Sequence, residues 1–358
     1  MTVRPFAVRW LRRTGLVCLG LAVGFALGEA LSRPFLPAPV PHRLPWIRLV
    51  YDEHCSYRNR PSQSGWSLSA PVTINRWGFR GRDWTLTKPP GTTRVAVLGD
   101  SYAFGQGVGD DQTFAAVAER ALAAAGHRVE VLNFAAVGYD TRQELKALEH
   151  HALRFEPDVV VLGFFLNDVL LLPERRYPTF GRYMQLQSDR LDDLSPVRWR
   201  LKETARRSRL LMTAWDLWLG SQESALSRLQ HAHLQAGVVP PAGPAGDGWR
   251  TVTDLLARLR ELAREHRFRP VVVVLPLPQE LLGDDGRGNT YAPYLAGVCA
   301  ELGIELIDVL PELRAAGLGP WQLLIPYDYH LGAEANRVVG EALARALAAG
   351  GTLATPPG

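Results

Sequence analysis

Ser101 sits at the centre of the stretch Arg94-Val-Ala-Val-Leu-Gly-Asp-Ser-Tyr-Ala-Phe-Gly-Gln-Gly-Val108, directly after an aliphatic run and before a turn punctuated by glycines. A serine hydroxyl is a poor nucleophile at neutral pH and needs a neighbouring base, most often histidine. Of the nine histidines, His150-His151 and His231/His233 fall in helical patterns. Neighbours one or two apart on a helix do not share a face, so these read as surface residues. His330 differs, because it lies in Ile325-Pro-Tyr-Asp-Tyr-His-Leu-Gly332, just before the last helical pattern. Asp328 stands two residues earlier, and in an extended loop residues i and i+2 point the same way. An aspartate so placed can hold an imidazole in its useful tautomer and stabilise the imidazolium. A tetrahedral acyl intermediate also needs hydrogen-bond donors aimed at its oxyanion. Three are on offer: the Ser101 backbone N–H, the Gly138 N–H in Asn133-Phe-Ala-Ala-Val-Gly-Tyr-Asp140, and the Asn167 side-chain amide in Gly163-Phe-Phe-Leu-Asn-Asp168.

These groups need a scaffold that gathers them, and the chain supplies a strand–helix rhythm. Strands are expected at Val95–Leu98, Val129–Asn133, Asp158–Phe164, Pro270–Leu275 and Ile304–Val309. Helices are expected at Thr113–Ala125, Arg142–Leu153, Thr251–His266, Tyr291–Leu302 and Ala333–Ala348. This alternation predicts an α/β domain with a parallel, doubly wound sheet covered on both faces. Ser101, Gly138 and Asn167 each follow a strand, and His330 follows the last one, so the fold carries all four to the carboxyl edge where open α/β sheets bind ligands. From Leu170 to about Gly248 the rhythm breaks. That insertion has helical spacing around Trp199, Trp215 and Trp218 and ends in a Pro/Gly-rich loop. A helical piece packed on the domain, a lid, a partner surface and a face resting on a membrane all fit it.

Gly99-Asp100-Ser101, Gly138, Asn167 and His330 occur in the order and spacing of the four blocks of SGNH (GDSL-type) hydrolases, which this chain resembles over roughly Arg94–Ala348, the insertion excepted. The resemblance implies a three-layer α/β/α sandwich with a flavodoxin-like parallel sheet. It also implies a Ser101/His330/Asp328 hydrolytic apparatus and an oxyanion hole made by Ser101, Gly138 and Asn167. The leader and the stretch Asn75–Gly81 are similar to those of membrane-anchored bacterial members with an Asn-x-x-Gly-Phe-Arg-Gly lead-in. One departure concerns the acid: many members carry Asp-x-x-His, whereas here Tyr327 takes that position and Asp328 gives Asp-x-His. If Asp328 does not orient His330, a Ser/His dyad remains. The activity implied is that of an extracytoplasmic serine esterase on acyl esters, acetyl esters foremost. The alternatives are an O-acyltransferase modifying an exported polysaccharide or cell-surface glycan, and a non-catalytic binding or assembly protein on the same fold.

Composition bounds the remaining possibilities. The chain has 358 residues, 47% hydrophobic and 21% charged, with a net charge of +4 spread along its length. A sizeable core is expected, and no basic patch interleaved with aromatics suggests a nucleic-acid partner. Three cysteines cannot build a disulfide framework. Cys55 and Cys299 can pair outside the cytoplasm or remain as two buried thiols. The Gly-x-Gly-x-x-Gly spacing fails because position 110 is Asp, and no Walker-type lysine follows a glycine-rich loop. A Gly-x-Ser-x-Gly elbow is absent too, and no His/Cys/Asp cluster has metal-ligand spacing, so no cofactor or metal is expected. Asp100 and Asp168 read as carboxylates that stabilise loops.

At the N-terminus, Arg4, Arg9, Arg12 and Arg13 precede an uncharged run from Thr14 to Gly28, broken by Glu29. Basic residues before an apolar run hold that end in the cytoplasm. About 15 residues is short of the roughly 20 a span needs, so a transmembrane anchor and a signal peptide cleaved near Gly28 and Ala30 both fit, with the anchor favoured. The expected organisation is an anchor or signal peptide over 1–33 and a spacer with short strands over 34–90. A hydrolase domain over 91–350 carries the insertion at about 170–248, and a tail covers 351–358. The catalytic part is placed outside the cytoplasmic membrane, periplasmic if anchored and secreted if cleaved.

Overall fold

The computed structural model describes residues 5–169, 182, 195–221, 244–283, 291–351 and 353. Within them a helix α1 (Pro5–Ser32) is followed by two hairpins, β1 (Leu49–Asp52) with β2 (Ser56–Asn59), and β3 (Gln63–Ser67) with β4 (Ala70–Ile74). The next elements are β5 (Thr93–Gly99), α2 (Ser101–Phe104), α3 (Phe114–Ala124), β6 (Val129–Asn133), α4 (Thr141–Ala147) and β7 (Val159–Phe164). Two helices of the insertion come next, α5 (Pro196–Arg206) and α6 (Arg209–Ser221). The chain continues with α7 (Pro244–His266), β8 (Arg269–Val274), α8 (Pro278–Leu282), α9 (Ala292–Leu302), β9 (Glu305–Asp308), α10 (Leu310–Ala315), α11 (Pro320–Leu323) and α12 (Ala333–Ala349). Helices α1, α5 and α6 cluster as one compact unit, and the elements from β1 to β7 and α7 to α12 as another.

The second unit is built on a five-stranded parallel sheet of order β6-β5-β7-β8-β9. Every residue of β5 and β7 is buried, as expected of central parallel strands covered on both faces. Their nearly continuous aliphatic runs produce that burial, since a strand with polar residues at alternate positions cannot be dry on both sides. Two sets of helices cover the sheet: α3 packs with α12, while α4 and α9 pack with α7. The chain leaves β5 for β6 on one side and returns to β7 on the other. This reversal opens a crevice between the carboxyl ends of β5 and β7, where ligands of such folds sit.

The lead-in segment is fastened to this sheet. Arg80 bridges Ile74 on one side and Asn133, at the end of β6, on the other. Asn75 closes the preceding turn: its Oδ1 accepts from the Trp77 and Phe79 amides, and its Nδ2 donates to the Arg82 carbonyl. The sequence reading of α1 and of the helix before β8 needs correction. Glu29 does not break α1, which runs on to Ser32 and includes an apolar stretch, Arg12–Ser32, of 21 residues and mean hydropathy 1.8. That stretch is long enough to cross a membrane. Helix α7 begins at Pro244, inside the segment expected to be a loop; proline is tolerated in a first helical turn, where its missing N–H costs nothing. His231, His233 and most of the Pro/Gly-rich end of the insertion lie outside the described residues.

Candidate active site

Ser101 follows β5 with no intervening loop, and the two residues before it explain how so sharp a turn forms. Gly99 has φ +148, and a Cβ there would stand 2.4 Å from the Ala103 Cβ and 3.0 Å from the Gly163 carbonyl, so only glycine fits. Asp100 then caps α2, accepting from the Tyr102 amide at 2.8 Å. The Ser101 side chain is thereby turned into the crevice beside β7.

The glycine-rich loop that follows is gripped from the lead-in segment. Buried Arg80 donates to the carbonyls of Phe104 (2.7 Å) and Gly105 (2.6 Å) and to that of Val108, and pairs with Asp110 at 3.0 Å. Burial pushes the guanidinium pKa down, and Asp110 opposes the shift. Asn75 and Arg80 thus hold the lead-in segment and the glycine-rich loop in shape, while Asp83 pairs with Arg76.

His330 approaches from the loop after α11. Its Nε2 lies 2.8 Å from Ser101 Oγ, and its Nδ1 lies 2.5 Å from Asp328 Oδ1. The loop is not extended, as the i, i+2 argument assumed. The Ile325 carbonyl accepts from the Asp328 and Tyr329 amides, the His330 carbonyl accepts from the Ile325 amide, and Tyr327 and Tyr329 adopt left-handed φ values of 61° and 66°. Each such conformation costs of order 1–3 kcal/mol for a residue with a side chain, and the turn's hydrogen bonds hold them. The left-handed Tyr329 between acid and base folds Asp328 back onto the imidazole. Burial raises the Asp328 carboxyl pKa, but the His330 hydrogen bond and charge and the Gln106 amide outweigh it and hold the group below its usual range. Because Asp328 is ionised, Nδ1 carries the imidazole proton, which leaves Nε2 to accept from the Ser101 hydroxyl.

A serine with this pairing, turned out of the first strand of a 2-1-3-4-5 sheet, has a counterpart in known proteins: residues 97–338 match the GDSL-like lipase/acylhydrolase family. The chain belongs to this family. No curated protein matches it by sequence. Solved structures similar to it include TesA (15% identity, TM-score 0.41, covering 71% of this chain and 98% of that one). The acetyl xylan esterase AlAXEase (14%, 0.41, 71% and 99%) and a lipase/acylhydrolase from Enterococcus faecalis (14%, 0.42, 74% and 99%) are similar as well.

In this GDSL-family chain a cleft of about 580 Å³ opens over the serine, lined by Ser101, Tyr102, Phe165, Asn167, Leu282 and the Asp328–His330 turn. Asn167 follows β7 and donates through Nδ2 to Asp100 Oδ2 at 2.8 Å. That amide carries a second N–H. Burial raises the Asp100 pKa against the pull of the Asn167 and Tyr102 hydrogen bonds. Gly138, with φ +80, sits in the turn after β6, the strand paired with β5 on the side away from β7. The four expected groups on β5, β7 and the final loop are brought together.

Sequence reasoning missed two supports. Tyr102 stacks on Phe165 with ring centroids 4.1 Å apart, lies 4.8 Å from the His330 ring, and donates its hydroxyl to the Tyr329 carbonyl at 3.1 Å. Gln106 places its Nε2 3.4 Å from both Asp328 Oδ2 and His330 Nδ1. Its position in the glycine-rich loop after Ser101 is the signal that was available.

The structure also gathers Asp52, Cys55 and His151, whose ligand-type atoms lie within 4.8 Å of one another. No spacing announces this cluster, since almost a hundred residues separate its first member from its last. Asp52 already pairs with His151 (3.1 Å) and the Arg58 guanidinium (3.2 Å), and the Cys55 thiol donates to the Gln143 carbonyl. A cation inside the cluster and a thiol pushed far up by burial disfavour a metal there. Cys55 and Cys299 are both buried and free, so the disulfide alternative is not realised.

Proposed function

We propose that this chain is a serine esterase that cleaves acyl esters outside the cytoplasm through an acyl-Ser101 intermediate. The observation that carries the proposal is the unbroken hydrogen-bonded line from Asp328 through His330 to Ser101 at the crevice of the sheet. His330 Nε2 takes the Ser101 proton as Oγ attacks the ester carbonyl, and Asp328 stabilises the resulting imidazolium. The Ser101 N–H, the Gly138 N–H and the second N–H of Asn167 are the proposed oxyanion donors. The protonated imidazole then gives its proton to the leaving alcohol, and the acyl group stays on Oγ. Water, deprotonated by the same Nε2, attacks the acyl carbon and releases the acid, restoring Ser101. The proposed substrates carry short acyl groups, acetyl foremost. An acceptor hydroxyl from an exported glycan in place of water turns the same intermediate to O-acyl transfer. The extracytoplasmic placement follows from basic residues ahead of the apolar stretch of α1.

The full-length protein should take up a fluorophosphonate probe and hydrolyse p-nitrophenyl acetate, and Ser101→Ala should abolish both. A folded wild-type chain inert to the probe and to esters of several chain lengths would overturn the proposal. Mass spectrometry of glycans incubated with enzyme and acyl donor separates transfer, seen as acylated sugar, from hydrolysis alone.

A further inference from the structure

The inserted helices α5 and α6 do not belong to the sheet-based unit, and they expose apolar and basic side chains together. Helix α6 exposes Leu211, Ala214, Trp215 and Trp218, positions spaced i, i+3, i+4 and i+7 that form one face. Trp215 and Trp218 are 53% and 52% exposed with ring centroids 4.9 Å apart. On α5, Val197 and Leu201, one turn apart, are each 66% exposed. Between Ser195 and Ser221 the chain carries six basic residues (Arg198, Arg200, Lys202, Arg206, Arg207, Arg209) against two acidic ones, Glu203 and Asp216. Exposed contiguous apolar surface of this kind marks an interaction site. Tryptophan and arginine side by side match a membrane boundary, where the ring sits at headgroup level and the cation meets anionic lipid.

Continuity with α1 identifies the occupant. Glu29, in the last turn of α1, accepts from the Ser208 hydroxyl (2.8 Å) and from the Arg209 (3.0 Å) and Leu210 (3.2 Å) amides, so it caps the first turn of α6. The Arg209 guanidinium donates to the carbonyls of Arg33 and Leu36. Gly28 permits the approach, since a Cβ there would lie 3.1 Å from Leu210 Cδ1. The start of α6 is thus stitched to the point where the apolar stretch of α1 ends. Cleavage near Ala30 would remove the carboxylate that satisfies these amides.

We propose that α1 is retained and that α5 and α6 lie in the anionic headgroup layer of the bilayer that α1 spans, with Leu211, Trp215 and Trp218 facing the acyl chains. The inference rests on the membrane placement of α1 given above and is independent of the esterase activity.

The test uses full-length protein in the Cys18→Ser background, whose remaining cysteines are buried, labelled with the environment-sensitive fluorophore NBD at Ala214→Cys. A control label sits at Glu265→Cys on α7. In phosphatidylcholine–phosphatidylglycerol vesicles the label at 214 should shift to the blue and be quenched by doxyl-lipid, while that at 265 stays aqueous. Omitting phosphatidylglycerol or raising salt should weaken the quenching. Trp215→Ser/Trp218→Ser should abolish it with far-UV circular dichroism unchanged, and Trp215→Phe/Trp218→Phe should retain it. A label at 214 that stays aqueous in vesicle-bound protein overturns the proposal while leaving the anchor intact. So does a blue shift without lipid quenching, which would place the face against protein. An intact mass lacking the residues before Leu31 overturns it through the anchor instead.

Discussion

On the cleft side of Ser101, Asp328 is half enclosed and fully matched, with His330 on one oxygen and Gln106 beside the other. Within the body of the domain stand Asp168 and Glu144, 0% and 1% exposed, with the Asp168 Oδ1 and both Glu144 carboxylate oxygens lacking a hydrogen-bond partner. Both regions hold carboxylates, yet their charge states diverge. Asp328 is held below its usual pKa by its partners, whereas burial, followed by repulsion from Asp168 and Asp100 for Glu144 and from Asp100 for Asp168, drives both well above theirs. Surroundings rather than residue type decide which acid is charged. The ionised one serves an imidazole that must become cationic, whereas among the described residues no cation pairs with Glu144 or Asp168.

The first way to break this contrast is to remove the charge that matters. Asp328→Asn keeps the size of the side chain but favours the wrong imidazole tautomer, so kcat should fall by about 10²–10⁴-fold with KM little changed. Steady-state kinetics on p-nitrophenyl acetate, with fluorophosphonate labelling rates as a second readout, measure the loss. An unchanged kcat would mean that His330 and Ser101 work as a dyad and that Asp328 only shapes the loop.

The buried side is probed through stability. A carboxyl whose folded pKa is raised contributes stability that is complete below its ordinary value of 4.5 and is lost as pH rises toward the folded value. Through Glu144 the wild-type chain should therefore lose stability as the pH rises above 4.5. Glu144→Gln, which cannot ionise, should flatten that slope by up to about 1.4 kcal/mol per pH unit. Thermal unfolding at several pH values gives the comparison. An equal slope in both proteins would mean that Glu144 is already ionised in the folded state, and the contrast with Asp328 would collapse.

Much of the scaffold was legible because buried parallel strands are written as aliphatic runs. Val95–Leu98 and Val129–Asn133 appear in the structure with ends shifted by at most two residues. The pairing of Asp328 with His330 was legible in outcome but not in cause, since nothing in Tyr-Asp-Tyr-His announces two left-handed tyrosines. Glu29 was misread because a charge in an apolar run looks like a stop, whereas its partners lie about 180 residues away on α6. The grip of Arg80 was invisible for a similar reason: nothing in Gly-Phe-Arg-Gly announces the carbonyls of Phe104, Gly105 and Val108 that enclose its guanidinium. Local pattern reports which face a residue takes, and it is silent about partners that only the closed chain supplies.

The smallest effect sharpens the contrast from the matched side. Gln106 is the only amide, among the described contacts, beside both Asp328 and His330, at 3.4 Å from each, a length that marks a weak bond. Gln106→Leu removes that donor without adding charge, and a hydrogen bond of about 0.5–1.5 kcal/mol converts to a two- to tenfold fall in kcat. Gln106→Glu keeps the shape but sets a second carboxylate against Asp328 Oδ2. It should cost more, and its loss should lessen at low pH as the new acid is protonated. Kinetics across pH for both variants read the difference. A Gln106→Leu chain as impaired as Asp328→Asn would mean that the amide, not the imidazole, keeps Asp328 in place. Two silent variants would leave His330 alone to do so, and the charge state of Asp328 would then rest on a single hydrogen bond.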